Sequence, residues 1–166
     1  MEFGVFDIFR IGIGPSSSHT VGPMRAAAGF VRALGEKGLL PRVAQIRAEM
    51  FGSLALTGRG HATDTAVMLG LSGEWPEQLD PDNATRIVAA IRAEGVLRLN
   101  GQHSIPFSED RDLLLHQHET LPGHTNGMRF TAFGEGGAVL DELVCYSIGG
   151  GFVATEEELA RGDAGP

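Results

Sequence analysis

The chain has 166 residues, of which 42% are hydrophobic and 20% are charged, and these proportions predict a folded domain and exclude a disordered chain. The net charge of −8 and the pI of about 5.1 disfavour a nucleic-acid partner, because a groove that follows phosphates needs a basic surface. Apolar runs stay short of the roughly 20 residues that span a bilayer, and the N-terminus lacks the basic segment of a signal peptide. We therefore expect a cytoplasmic protein that has no membrane partner.

Two single residues limit the cofactors that this chain can hold. Cys145 is the one cysteine, and one thiol cannot ligate a zinc ion or an iron–sulfur cluster by itself. It lies in the apolar run LVCYSI, which predicts a buried and inert thiol. Lys37 is the one lysine, and it lies at a predicted exposed helix end, unsuited to a Schiff base with pyridoxal phosphate. We expect no metal site within this chain.

Hydrophobic periodicity predicts both element types in the first half of the chain. A short strand or an extended entry is predicted over residues 5–13, a strand over residues 43–51, and helices over residues 20–35, 60–71 and 82–94.

Residues with special backbone properties predict where these helices begin and end. Pro23 is compatible only with the first turn of the first helix, and that helix must therefore begin close to residue 20. Asp82 or Asn83 is the predicted N-cap of the third helix, and Gly95 is its predicted C-terminal stop.

After Gly95 the sequence changes to short apolar runs separated by Gly, Asn or Pro. The runs VLRLN, HSIPF, DLLLHQH, GMRFTAF and AVLDELVCYSI predict a meander of antiparallel strands. Helices come mainly first and strands mainly second, and the predicted class is therefore α+β, with helices packed on a mixed or mostly antiparallel sheet. Residues 1–155 form the predicted domain, and the polar residues 156–166 are predicted to be a linker.

Residues 14–24, GPSSSHTVGPM, place three serines, a histidine and a threonine before the first predicted helix. The free N–H groups and the positive dipole end of that helix point toward this segment. Hydroxyls combined with such N–H groups suit a carboxylate or phosphate. The alternative is that Ser18 or Thr20 only caps the helix, within an ordinary loop.

A second candidate segment is GSLALTGRGHATD, residues 52–64. Its glycines allow the backbone to approach a ligand closely. His61 lies at a predicted helix start and has an ordinary pKa near neutrality, which suits a general base. Asp64 could orient His61 or accept a backbone N–H in the first turn. The alternative for His61 is an exposed histidine without a chemical role.

Two further segments contain glycines and possible ligand-binding side chains. In LPGHTNGM, residues 121–128, the Asn126-Gly127 pair predicts a turn. His124 is therefore expected at a loop tip before a strand, where it is either a surface residue or part of a site. In YSIGGGF, residues 146–152, three glycines after a strand predict a β-bulge or the close approach of another segment.

His116 and His118 have the spacing of two metal ligands on one face of a strand. No third ligand is apparent nearby in the sequence. A polar edge strand is the alternative, and we prefer it.

Taken together, four segments resemble the beta domain of bacterial iron–sulfur L-serine dehydratase (L-serine ammonia-lyase). They are FDIFRIGIGPSSSHTVGPM, GSLALTGRGHATD, P-x-H-x-N-G-M and YSIGGGF, and they occur in order from Phe6 to Phe152. GPSSSHTVGPM is highly specific, and P-x-H-x-N-G-M is weaker. The chain departs from the family at Ala62, where some members have a second histidine, but His61 is in place.

The resemblance implies conversion of L-serine to pyruvate and ammonia, with a [4Fe–4S] cluster and without pyridoxal phosphate. In this family the cluster cysteines belong to an alpha domain that follows the beta domain. An open iron of the cluster acts on the serine hydroxyl as a Lewis acid. The resemblance also implies a fold like the allosteric substrate-binding domain of some phosphoglycerate dehydrogenases. The expected partners are L-serine, the alpha domain and further copies of the chain in a homo-oligomer.

The resemblance also suggests roles for particular residues. His61 is the first candidate for the base that removes the α-proton, and His19 and His124 are second candidates or ligand-binding groups. The expected substrate-binding residues are Ser16, Ser17, Ser18, His19, Thr20 and Asn126. The alternative function is a serine-sensing regulatory domain without a catalytic role, because the same pocket would serve both purposes.

Overall fold

The computed structural model of the chain describes residues 19–56, 63–149 and 151–162, which form an α+β fold as predicted. The helices are α1 Val21–Glu36, α2 Ser53–Leu56, α3 Thr63–Leu71, α4 Pro81–Glu94, α5 Glu109–Asp112 and α6 Glu156–Arg161. The strands are β1 Gln45–Phe51, β2 Val96–Leu99, β3 His103–Pro106, β4 Leu113–His116, β5 Gly127–Phe133, β6 Val139–Gly149 and β7 Phe152–Thr155. The strand predicted over residues 5–13 lies outside the described ranges. No helix within those ranges has the length and apolar character needed to cross a membrane.

Five strands form one mixed sheet in the order β4-β1-β5-β6-β7. The β1–β4 pair is parallel and the other pairs are antiparallel. The predicted antiparallel pairing of successive runs holds for β5 with β6 and, outside the main sheet, for β2 with β3. It fails for β4, because β1 from the first half of the chain separates β4 from β5. The last four residues of β1 are all buried, so this strand needs neighbours on both edges.

The runs VLRLN and HSIPF do not join the main sheet, contrary to the prediction. Strands β2 and β3 pair only with each other, as a hairpin that turns through Asn100 and Gly101 at φ 53° and 69°. Leu97 and Leu99 are fully buried, and the hairpin packs this apolar side against α3 and α4.

Helix α1 covers one face of the sheet. It confirms the helix predicted over residues 20–35, and its residues Met24, Val31 and Leu34 have no exposed surface. The ring of Phe30 stacks on that of Phe130 in β5, with 5.8 Å between the centroids. Helix α3 packs on α1, so α1 lies between the sheet and a second helical layer.

The N-cap predicted for α4 is wrong by two or three residues. Asp80 is the cap, and its carboxylate accepts the N–H of Asp82 at 3.3 Å. Pro81 occupies the first helical position, where its fixed φ and missing N–H are tolerated, so the cap has to precede it. Gly95 ends the helix in the left-handed conformation, as predicted.

The first part of the predicted linker forms helix α6. Thr155 accepts the N–H of Glu158 at 3.1 Å, and the Glu158 carboxylate accepts the N–H of Thr155 at 2.8 Å. This reciprocal capping box stabilises the first turn of a short helix whose residues are not buried.

A buried carboxylate joins three strands on the face of the sheet that α1 does not cover. Glu49 of β1 is 5% exposed and accepts two hydrogen bonds of 2.9 Å from Arg129 of β5. His116 of β4 places Nε2 3.0 Å from the same carboxylate. Burial alone would raise the pKa of Glu49, but hydrogen bonds and charge from Arg129 and His116 outweigh it and hold the pKa below 4.5.

The low pKa of Glu49 predicts a loss of stability in acid. A carboxylate with a lowered pKa contributes stability above its unfolded-state value, and this contribution disappears as the pH falls through the folded-state value. Glu49→Gln should reduce the free energy of unfolding at neutral pH by about 1–3 kcal/mol, because Arg129 is partly exposed and keeps some hydration. It should also flatten the decline of stability below about pH 4.5, which urea unfolding at several pH values measures.

The matched control is Glu119→Gln, which removes an exposed carboxylate 4.0 Å from His116. We expect this control to change stability by no more than about 0.5 kcal/mol. Identical acid profiles for the parent and Glu49→Gln would contradict the role given to Glu49.

Candidate functional site

Four segments of the chain meet at the N-terminal end of α1. They are His19 at the start of the helix, Ser53 directly after β1, the loop that carries His124 and Asn126, and Ser147 near the end of β6. Each belongs to one of the four sequence segments that predicted a site. The fold therefore brings together residues that are up to 128 positions apart in the sequence, counting from 19 to 147.

These residues form a hydrogen-bonded group, here called the Asn126 network: His19, Ser53, His124, Asn126 and Ser147. His19 Nε2 lies 3.0 Å from Ser53 Oγ, which donates to Asn126 Oδ1 at 2.6 Å. Asn126 Nδ2 donates to the carbonyl oxygen of Ser147 at 3.1 Å. The backbone N–H of Asn126 donates to His124 Nδ1 at 3.0 Å. Asn126 is 8% exposed, and its side-chain oxygen and nitrogen both have protein partners.

Gly52 allows β1 to turn into this network. Its φ of +59° is a left-handed conformation that favours glycine, and a Cβ at this position would overlap the carbonyl oxygen of Thr125. The Ser53 N–H donates to that same carbonyl at 3.2 Å. The absence of a side chain at Gly52 thus sets the separation between Ser53 and the loop that carries Asn126.

The prediction that Asn126-Gly127 forms a turn is wrong. The turn lies earlier, at Pro122 and Gly123, where Leu121 and His124 close an isolated bridge. Asn126 lies in the bend that precedes β5, where its N–H, carbonyl and side-chain amide are all held by hydrogen bonds. His124 precedes a strand and is half-buried, in agreement with its predicted place in a loop.

The sequence predicted a β-bulge or a close approach for the glycine run, and Gly149 and Gly151 show one of each. The register between β6 and β7 shifts between Ser147 and Gly149, which marks a bulge or irregularity. Gly151 has a φ of +82°, and a Cβ there would lie 2.9 Å from the side chain of Val21 in α1. Arg25 donates to the Gly151 carbonyl at 3.1 Å, so this hairpin is fixed against the first turns of α1.

Part of the predicted site lies outside the described residues, namely His61 and Ser16, Ser17 and Ser18. Among the described candidates, His19, His124 and Asn126 belong to one hydrogen-bonded network. Thr20 is fully buried and makes no side-chain capping bond to α1, so the cap alternative fails for Thr20. Thr63, two residues after His61 in the sequence, donates to the His19 carbonyl at 2.8 Å.

Sequence reasoning missed two members of the network, Ser53 and Ser147. Both lie inside segments that were recognised for their glycines and histidines, but neither serine was selected. A hydroxyl directly after the left-handed Gly52 was the available signal for Ser53. Ser147 contributes its backbone carbonyl and N–H, which any residue type would provide, so its identity carried no signal.

Asp64 begins α3 and is nearly fully buried. Its carboxylate accepts the backbone N–H of Thr65 at 2.7 Å, which confirms the predicted contact with a first-turn N–H. The guanidinium of Arg92 lies 3.5 Å away and also binds Glu109. These charged groups border a groove of about 640 Å³ that is lined by Asp64, the end of α4 and residues 107–110, and that includes no residue of the Asn126 network.

His116 and His118 do not resemble a metal site. His116 is bound to Glu49 and stacks on Phe51 with 4.6 Å between the ring centroids, whereas His118 lies beyond the strand and is exposed. Within the described ranges no group of three or more His, Cys, Asp or Glu residues could hold a metal ion. Strand β4 is an edge strand, as the preferred alternative proposed, but its first three residues are leucines and only His116 is polar.

Cys145 is fully buried in β6, as predicted, and burial raises the pKa of its thiol to about 12. A thiol in this state does not supply the thiolate that an iron–sulfur cluster requires. Lys37 is the exposed C-cap of α1 and binds Asp141 at 2.6 Å. The residues of this chain therefore do not fit a [4Fe–4S] cluster or a Schiff-base cofactor.

The fold and the Asn126 network define an α+β domain that gathers polar side chains from distant loops at one helix N-terminus. The chain is similar to "L-serine dehydratase" of Streptomyces coelicolor, with 49% identity over 96% of this chain and 35% of the relative. It is 51% identical to "L-serine dehydratase" of Mycobacterium bovis, over 95% of this chain and 34% of the relative. It is 45% identical to "L-serine dehydratase 2" of Escherichia coli, over 98% of this chain and 35% of the relative.

The family model described as serine dehydratase beta chain matches residues 4–158. The chain belongs to this family, which confirms the resemblance drawn from the four sequence segments. It spans about a third of the length of the curated relatives it matches.

The close approach at Gly52 predicts the effect of a methyl group there. Gly52→Ala should cost more than the roughly 1–2 kcal/mol of left-handed strain, because the Cβ would also overlap the Thr125 carbonyl. We expect shifted amide NMR signals from Thr125 to Gly127 and a lower urea midpoint.

Gly38→Ala separates backbone strain from steric overlap, because Gly38 has a φ of +73° with no atom within 4 Å of an added Cβ. It should show the strain alone and leave the signals of Asn126 unchanged. Equal destabilisation by both substitutions, without a change at Asn126, would contradict the packing role of Gly52.

Proposed function

We propose that this chain is the beta part of an L-serine ammonia-lyase, which converts L-serine to pyruvate and ammonia. The observation that carries the proposal is the Asn126 network, in which all four segments typical of the family contribute to one hydrogen-bonded group. Membership of the serine dehydratase beta chain family and the names of the relatives support the same substrate.

Chemical complementarity to serine supports this choice of substrate. The carboxylate of serine needs hydrogen-bond donors, and the N-terminus of α1 offers N–H groups, a positive dipole end and no acidic residue in its first turn. In the proposed pocket Ser16, Ser17 and Ser18 add hydroxyl donors and His19 contributes its ring, whereas Thr20, which the sequence also suggested, is fully buried. We propose Asn126 as part of the pocket wall, because Ser53 links it to His19.

We propose His61 as the base that removes the α-proton of serine. The ordinary pKa of histidine lies near neutrality, so a neutral ring is available to accept a proton. Loss of the α-proton and of the hydroxyl as water gives aminoacrylate, which tautomerises to an imine and is hydrolysed to pyruvate and ammonia. The contact between Thr63 and the His19 carbonyl supports a place for the His61 segment near the network.

The [4Fe–4S] cluster that the family resemblance implies does not fit the residues of this chain. One buried cysteine with a pKa of about 12 is not a cluster ligand set. We propose that a separate alpha domain or alpha chain holds the cluster and that the two parts together form the active site.

Reconstitution tests this proposal directly. We expect this chain alone to release no ammonia from L-serine, and to do so when it is mixed with a cysteine-bearing alpha domain prepared without oxygen. Ammonia release by this chain alone would overturn the division of roles. If the alpha domain alone were active and this chain changed only its dependence on serine concentration, the chain would be a serine-sensing regulatory domain instead.

The reconstituted enzyme also tests the role of His61. His61→Ala should lower kcat by roughly 10²–10⁴-fold, the usual effect of losing a general base, and should change KM far less. His118→Ala is the matched control, because His118 is exposed and outside the network. An unchanged kcat with a raised KM would make His61 a binding residue.

A further inference from the structure

The direction of each hydrogen bond in the Asn126 network determines which ring nitrogens carry protons. A carbonyl oxygen only accepts, so the group of Asn126 that faces the Ser147 carbonyl must be the amide nitrogen. The other end of the amide is then Oδ1, which also only accepts. Ser53 must therefore donate its single hydroxyl proton to Asn126 Oδ1 across 2.6 Å.

This donation fixes the state of His19. Because the Ser53 proton is directed at Asn126, Ser53 Oγ is an acceptor toward His19 Nε2, which lies 3.0 Å away. His19 Nε2 must then carry a proton. In the neutral ring the lone pair is on Nδ1, and a proton taken up at Nδ1 would leave the bond to Ser53 intact.

His124 is fixed by a different contact. Its Nδ1 accepts the backbone N–H of Asn126 at 3.0 Å, so this nitrogen carries the lone pair. The neutral ring therefore has its proton on Nε2. A proton added at Nδ1 would break the bond to Asn126, so His124 is suited to donate from Nε2.

We propose that Ser53 and Asn126 are positioning residues that hold His19 as a ring acceptor and His124 as a ring donor. Any role of these rings toward serine rests on the proposed function, whereas the positions of the protons rest on the hydrogen bonds alone.

Long-range ¹H–¹⁵N NMR spectra of the histidine rings test the proton positions in this chain. The spectra are compared under conditions in which the rings are neutral. We expect His19 and His124 each to show only the form with the proton on Nε2. Ser53→Ala should introduce the Nδ1–H form at His19 and leave His124 unchanged, because His124 binds a backbone N–H.

Two more variants test whether Ser53 and Asn126 specifically determine the proton position on the His19 ring. Asn126→Ala should also release the His19 ring, since Ser53 could then donate to Nε2. Ser72→Ala removes a buried hydroxyl that binds the Met68 carbonyl in α3, and it should leave both rings unchanged. A parent spectrum with the proton of His19 on Nδ1, or a Ser53→Ala spectrum identical to the parent, would overturn the proposal.

Kinetics of the reconstituted enzyme separate this proposal from the proposed function. Ser53→Ala should lower kcat/KM by up to about 100-fold through misplacement of the His19 ring, and Ser53→Thr should restore most of the loss. If the spectra show the expected proton positions but the enzyme does not act on serine, the proposed function is wrong and the proton positions are still supported. Full activity of Ser53→Ala would overturn the positioning role itself.

Discussion

The arrangement of the candidate site depends on the buried amide of Asn126. Its oxygen accepts from Ser53, its nitrogen donates to the Ser147 carbonyl, and its backbone N–H donates to His124. A buried amide that lost one of these partners would cost roughly 1–3 kcal/mol, so the four segments are held in one register. The network is thus both a structural junction and the framework of the proposed pocket.

The pairing of the strands and the contacts of α1 bring these segments together. Strand β1 ends beside the loop of His124 because β1 pairs with β5 along its whole length, and Gly52 then turns the chain under Thr125. At the opposite side, Arg25 binds the Gly151 carbonyl and fixes the β6–β7 hairpin to the start of α1. On the other face of the sheet, Glu49 links β1 to β4 through His116 and to β5 through Arg129. The ends of several elements therefore converge on one helix N-terminus.

Local patterns predicted much of this fold, and long-range pairing limited the rest. Hydrophobic periodicity identified the helix over residues 20–35, because a helical pattern is apparent within a few turns of sequence. The insertion of β1 between β4 and β5 could not be predicted in this way, since pairing partners are set by contacts across the chain. In the site, the histidines were recognisable by their chemistry. Ser53 was not, because its importance comes from Gly52 and Asn126, which only the fold brings beside it.

The central claim is that serine binds at the Asn126 network, and an NMR titration tests it most directly. The labelled His61→Ala chain, joined to an unlabelled alpha domain, would be titrated with L-serine under conditions of slow turnover. Saturable shifts of the side-chain signals of His19 and Asn126 are the predicted result. Shifts confined to the groove of Asp64, Arg92 and Glu109, with the Asn126 network unchanged, would contradict the account.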